Sequence, residues 1–250
     1  MSRSRFLFLF TVAFVFAPVI ARAADEPQDI IAKAIKAHGG EELITKNKAG
    51  QSKTKGKIHL PGVGEVEYTQ DVSYMIPDKF KDSMELKIGG KSIAVLTLIN
   101  GDKMTIEVDG KAIDVPAGAK DSIKEIGHVM QVARLVTLKE KGYELSIIGD
   151  DKVDGKKVVG VRVTKKGQKD VSVYFDKETG LLAKLEFRTV DQVSGNEITE
   201  ERMPSDYAKN KDGLQVPKKV TIKRDGKTFL EAEVLETKYF EKLDDADFKK

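Results

Sequence analysis

Three histidines (His38, His59 and His128) and two acid pairs (Asp150-Asp151 and Asp244-Asp245) are the residues best suited to acid–base or metal chemistry in this chain. The histidines lie far apart in sequence, and no H-x-x-x-H, H-E-x-x-H or G-x-S-x-G pattern is present. Only the fold could bring the three together around a metal. Both acid pairs stand in turn-like, solvated contexts. Paired carboxylates become catalytic when a cleft drives their pKa values apart, and nothing around these pairs predicts a cleft. Cysteine is absent, which removes thiol catalysis. The expectation is a protein that is not an enzyme and that needs no metal or cofactor. His128 belongs to an apolar helical stretch. It could touch the head group of a ligand there, or be an ordinary satisfied histidine.

The chain start points to export. Met1-Ser-Arg-Ser-Arg5 is basic, and Phe6–Ala17 (FLFLFTVAFVFA) is apolar apart from Thr11. Pro18–Ala23 ends in an A-x-A pattern. That order describes a secretory leader cut after Ala23. A bilayer span needs roughly 20 apolar residues, so this run is short and Arg22 closes it. The expected layout is a signal peptide at 1–23 and a single exported domain at 24–250, in the periplasm.

Removal of the leader changes the charge. The whole chain carries 43 lysines and arginines against 40 acids. Arg3, Arg5 and Arg22 leave with a leader that holds no acid, so the remainder is balanced at 40 of each. A nucleic-acid partner calls for a basic surplus, and none is left. Without cysteine, an exported domain must hold together by its core alone. At this length it can bury about 70% of its unfolded surface or more, so staples are unnecessary. A lipid-modified N-terminal cysteine is also ruled out.

Behind these residues stands a mainly β chain. Pro27–His38 reads as a helix, with Ile30, Ile31, Ala34 and Ile35 in one stripe and Gly39-Gly40 as the stop. From Gln51 the period changes to two. Val66, Tyr68, Val72 and Tyr74 share one strand face, interrupted by Gln70, while Glu65, Glu67, Thr69, Asp71 and Ser73 share the other. Phe80, Met84, Leu86 and Ile88 alternate with lysines, Ser83 and Glu85. Such alternation predicts an antiparallel sheet with one dry face. Ser92–Ile99 is apolar on both faces and should be covered twice. Met104–Val115 is a hairpin about Asp109-Gly110. A second helix is predicted over 122–139, apolar nearly all round, through Ile123, Ile126, Val129, Met130 and Val132 to Leu138. Strands then return at about 143–148, 157–164, 170–176, 181–190, 196–203, 216–224 and 228–238, separated by Gly-containing turns. The tally is about a dozen strands and two principal helices, with no linker to divide them.

The helix end Ala37-His-Gly-Gly40, a strand containing Gly56, Pro77-Asp-Lys-Phe-Lys81, Val173-Tyr-Phe-Asp-Lys-Glu-Thr-Gly-Leu-Leu182 and Asp212-Gly-Leu-Gln-Val-Pro-Lys218 together resemble the outer-membrane lipoprotein-sorting (LolA/LolB-like) proteins. The resemblance covers about Asp29 to Phe240 and rests mostly on turns and strand starts. It implies an incomplete antiparallel β-barrel (mainly β, α+β) with helices on the concave side as a lid. It also implies a cavity that holds the acyl chains of a lipoprotein or lipid, with membrane-bound donor and acceptor proteins as partners. No functional residue of that family aligns residue by residue here. The missing lipid-modified cysteine excludes a membrane-anchored acceptor. From the apolar faces, the expected acyl cavity is Val66, Tyr68, Val72, Tyr74, Met84, Leu86, Ile88, Met104, Ile126 and Met130. The methionines among them suggest an adaptable surface. The alternative is a non-catalytic periplasmic sensor or scaffold that binds a peptide or protein at an open sheet edge.

Overall fold

The computed structural model describes residues 26–115, 119–191 and 195–249, with 119–124 described by backbone alone. The leader expected at 1–23 lies outside the described residues. Helix α1 (Pro27–Ala37) carries proline in its first turn and Asp29 near its positive end. Its Ile30, Ile31, Ala34 and Ile35 are all buried. Gly39, at a φ of 126°, turns the chain off the helix, and a Cβ there would sit 2.9 Å from the Leu214 side chain. A short α2 (Glu41–Lys46) follows.

Thirteen strands make one antiparallel sheet among the described residues. They are β1 (Ala49–Leu60), β2 (Gly64–Met75), β3 (Lys79–Ile88), β4 (Lys91–Asn100), β5 (Lys103–Val108) and β6 (Lys111–Ile113), then, after α3 (Ala119–Ala133), β7 (Tyr143–Val153), β8 (Lys156–Lys165), β9 (Val171–Asp176), β10 (Leu182–Val190), β11 (Glu197–Lys209), β12 (Gln215–Arg224) and β13 (Lys227–Phe240). The spatial order is β6-β5-β4-β3-β2-β1-β13-β12-β11-β10-β9-β8-β7. The chain therefore starts in mid-sheet and runs by hairpins to the β6 edge. It crosses to the β7 edge through α3 and returns to lay β13 against β1. β6 and β7 do not pair, so the barrel is incomplete. Asp109-Gly110, Asp154-Gly155 and Asp225-Gly226 make the turns their sequence predicts, with both residues of each pair at positive φ.

The main core lies between the helices and β8–β10. Val161 and Val163 pair with Val173 and Val171, which pair onward with Leu185 and Phe187. These side chains, with Phe175 and Leu182, bury the α1 stripe together with Val129 and Val132 of α3. The β9–β10 turn, part of the resemblance above, seats against α1. A Cβ on its Gly180 would lie 3.2 Å from Ala37, and Lys33 donates to the Lys177 carbonyl at 2.8 Å. A second cluster of Ile58, Val66, Tyr68, Leu86 and Leu230 fills the same face under β1–β3 and β13. The opposite face carries alternating charges, such as Lys55–Glu233 at 3.2 Å and Lys57–Glu65 at 2.7 Å. Exposed pairs of this kind add little stability, and they keep the surface mixed in sign.

Two local expectations need adjustment. The second helix ends at Ala133 rather than continuing to 139. Leu135 takes a φ of 62°, and a 3-10 turn (Val136–Lys139) follows. A leucine in the left-handed region is strained. It persists because its side chain is only 1% exposed in the main core and the chain must turn there to enter β7. On β4, double coverage holds only at the far end, where Leu98 and Ile99 are buried; Ala94, near its start, is exposed.

Candidate ligand-binding pocket

The pocket begins at a glycine. Gly50 of β1 pairs with Tyr74 of β2 and with Tyr239 of β13. Residues paired across strands point to the same face, so two tyrosines flank a position that has no side chain. A Cβ at Gly50 would lie 2.7 Å from the Tyr74 ring. The ring lies where a larger residue would stand. Above this floor α3 contributes Met130 and Ala133, and the residue after it is Arg134. The end of α1 and α2 contribute His38, Ile44 and Asn47, and Ile76, Leu135, Leu214 and Gln215 complete the wall. The enclosed volume is about 320 Å³, near the lower end of the roughly 300–1,000 Å³ range of small-molecule sites.

The polar groups of the wall are largely committed to holding it. Arg134 Nη2 donates to the carbonyls of Ile44 at 2.6 Å and Asn47 at 3.3 Å, fastening α3 to the C-terminal end of α2. A cation there meets the negative end of the helix. His38 Nδ1 donates to the Ala34 carbonyl at 2.8 Å, and Nε2 accepts the Leu182 N–H at 3.3 Å. That pattern fits the neutral ring, and burial lowers the His38 pKa in the same sense. The Tyr207 ring meets His38 edge-on at 5.7 Å, and its hydroxyl donates to the Leu182 carbonyl at 3.0 Å. Burial pushes the Tyr74, Tyr207 and Tyr239 phenols up, so all three stay protonated. No carboxylate lines this pocket. Its wall offers apolar surface with a few phenol and amide groups, which is the chemistry of binding an amphipathic molecule.

The ten expected cavity residues separate into groups. Tyr74 and Met130 line the pocket. Val66, Tyr68 and Leu86 are buried in the second cluster, with Met84 and Ile88 packed against it. Val72 and Ile126 are half-buried. Met104, also half-buried, pairs with Ile99 near the β6 edge. The structure does not gather the ten around one space. Arg134 and Tyr239 were not singled out from sequence, and His38 and Leu214 were named there for other reasons, not as pocket residues. Arg134 was readable as a cation in the middle of the apolar run from Val129 to Leu138. Tyr239 and Gly50 become neighbours only through the β1–β13 pairing.

Other chemistry-bearing residues serve the fold. Asp244 and Asp247 form a capping box on the C-terminal 3-10 turn (Asp245–Phe248), and Asp245 pairs with Lys79. Asp150 pairs with Lys177 at 2.6 Å. Gln70, the polar residue on the dry face of β2, donates to Asp82 at 2.9 Å and accepts from Thr54 at 3.2 Å. The other Asp82 oxygen is buried without a partner. Desolvation drives the Asp82 pKa up to about 6, against the lowering effect of the Gln70 hydrogen bond. Among the described residues, no three His, Asp or Glu side chains come together as a metal site.

The same open antiparallel barrel with helices laid on one face occurs in solved structures of other proteins. The LolA superfamily protein NE2245 from Nitrosomonas europaea superposes with a TM-score of 0.53 over 91% of this chain and 99% of its own, at 13% identity. A DUF1329 family protein from Desulfovibrio piger superposes with a TM-score of 0.54 over 90% of this chain and 98% of its own, at 14% identity. Identities this low show a shared fold alone. No family profile matches the sequence, and no curated protein matches it.

Proposed function

We propose that this protein is an exported, non-catalytic carrier or binding protein for a lipoprotein or lipid. Its acyl portion would be held in the pocket between the helices and the sheet. The supporting observation is the space beside the Tyr74 and Tyr239 rings, walled also by Met130, Ile44 and Leu214 and roofed by a helix that Arg134 ties to α2. The likeness to the LolA superfamily fold and the leader-like sequence at 1–23 agree with it. Among the described residues no helix is long and apolar enough to cross a membrane. Burial contributes about 0.8 kcal/mol per CH₂, so an acyl chain needs few polar anchors. Native mass spectrometry of gently purified protein tests the reading. A bound acyl species should appear and should be lost in Met130→Asp. Protein that is ligand-free and takes up no fluorescent fatty acid refutes it.

One observation favours a second reading. β7 is an unpaired edge with Ile147 and Ile148 each 41% exposed. An extended peptide could add there as a further strand. Protection of β7 amides from hydrogen exchange by a partner, without any bound lipid, would support the sensor or scaffold function instead.

A further inference from the structure

A second pocket, of about 300 Å³, lies on another side of α3. The two pockets are neighbours in sequence: Ile76 and Met130 line the apolar one, Pro77 and Gln131 the second. Its walls come from three hairpin turns and a helix. The β2–β3 turn supplies Asp78, the β4–β5 turn Asp102, the β8–β9 hairpin Lys165 and Gln168, and α3 His128 and Gln131. The first two turns belong to the β1–β6 half of the sheet and the third to the β7–β13 half. The pocket therefore sits where turns from the two halves meet around α3.

His128 carries the argument. Its ring is 5% exposed, it lines this pocket, and neither nitrogen has a hydrogen-bond partner of good geometry. Buried polar groups are ordinarily satisfied, so an imidazole with no well-formed hydrogen bond, only a poorly aligned one to the Lys169 backbone, marks a place for a ligand in this polar cavity. The ring is held for that task, stacked on Tyr143 with centroids 6.1 Å apart and planes 8° from parallel. The Tyr143 hydroxyl donates to Gln131 Oε1 at 3.1 Å, which leaves the Gln131 amide hydrogens free to donate. Lys165 places its ammonium 4.3 Å from the Tyr143 ring centre and makes no ion pair among the described residues. Burial and the Lys165 charge both lower the His128 pKa, outweighing the backbone hydrogen bond to Lys169. The ring is thus neutral near pH 7, with one free acceptor and a donor that a better-aligned ligand oxygen could take from Lys169. Asp78 and Asp102 add carboxylates from the opposite turns.

We infer that this pocket binds a small zwitterion, with an anionic oxygen group at His128, Lys165 and Gln131 and an ammonium at Asp78 and Asp102. Phosphoethanolamine has this chemistry, either free or as a lipid head group. The site stands independently of the carrier function; only a lipid source would join the two.

Calorimetric titration of the mature protein with phosphoethanolamine tests the inference. Saturable binding is expected. It should weaken about tenfold or more in His128→Leu, in Lys165→Gln and in the Asp78→Asn/Asp102→Asn double variant. Inorganic phosphate as probe should lose affinity with Lys165→Gln and keep it in the double aspartate variant. Thermal melting guards against misfolding, and His128→Leu should melt no lower than the parent because it removes an unsatisfied polar group. No binding by the folded parent, or binding unchanged in folded His128→Leu and Lys165→Gln, overturns the site. Lysophosphatidylethanolamine separates the sources. Tighter binding than phosphoethanolamine, with the gain lost in Met130→Asp, assigns the head group of a lipid. Equal binding assigns a free zwitterion. Palmitate uptake without phosphoethanolamine binding would sink this inference alone, and the converse would sink the carrier alone.

Discussion

Replacing Asp82 with asparagine should stabilise the protein at neutral pH and do nothing of the kind in acid. Asp82 faces inward on β3, one oxygen accepting from Gln70 and the other buried without a partner. Desolvation raises its pKa from 3.8 to about 6. The folded state therefore holds the proton more tightly than the unfolded chain. Below about pH 4 both states are protonated and the contribution to stability is full. As pH rises towards 6 the unfolded chain releases the proton first, and stability falls by about 1.4 kcal/mol per pH unit. Beyond the folded pKa the loss is complete, at about 3 kcal/mol for a shift of this size. Asparagine does not titrate, and it can still accept from Gln70. Urea denaturation of both proteins between about pH 4 and 8 isolates the residue, because every other carboxylate is common to the pair. The stability difference, variant minus parent, should rise with pH by about 3 kcal/mol and level off above the folded pKa. A difference that stays flat across the range would refute the burial argument.

Further outcomes follow from the two kinds of apolar environment. Met130→Asp should abolish fatty-acid binding with a small change in melting temperature, since Met130 borders a space that water can enter. Leu86→Asp should unfold the domain, because Leu86 is 9% exposed in a filled cluster and an unpaired charge there costs several kcal/mol. Circular dichroism melts and a fluorescent fatty-acid titration read both. Gly50→Val should displace the Tyr74 ring and reduce ligand uptake, seen in the same titration, as a Cβ would already lie 2.7 Å from that ring. Arg134→Met should cost about 2 kcal/mol through the lost charged hydrogen bonds. It should also speed hydrogen exchange of the α2 amides, whose C-terminal carbonyls that guanidinium holds.

Local structure was legible because local rules govern it. The alternation of Val66, Tyr68, Val72 and Tyr74 is β2, and each Asp-Gly pair sits at a hairpin. Gln70 was visible as a polar residue on a dry face. Its partner was legible by the same test, since Asp82 breaks the row Phe80, Met84, Leu86. The end of α3 was hidden because Leu135, apolar and in phase with the helix, carries no stop signal; tertiary burial imposes its φ of 62°. The assignment of cavity residues needed a depth that periodicity lacks. Alternation tells which face is dry, and the same dry face is packed solid around Leu86 yet hollow beside Tyr74 and Tyr239.

That difference traces to the strand order. Because β1 starts in mid-sheet and pairs with β13, the first and last strands place Gly50 between two tyrosines distant in sequence. Because the chain must cross from the β6 edge to the β7 edge, α3 passes beside both pockets rather than lying at one end of the sheet. A closed barrel with hairpins throughout would need no such crossing and would fill its interior with its own side chains. Leaving β6 and β7 unpaired removes a row of backbone hydrogen bonds and exposes two edges. In return one helix takes the place of barrel wall, and a helix can be displaced without breaking a strand ladder. Among its contacts, Arg134 at its end bonds to α2, and its His128 stacks on Tyr143 of β7. Under the proposed carrier function, an acyl chain would lie on the Arg134 side of α3 and a polar head group on its His128 side.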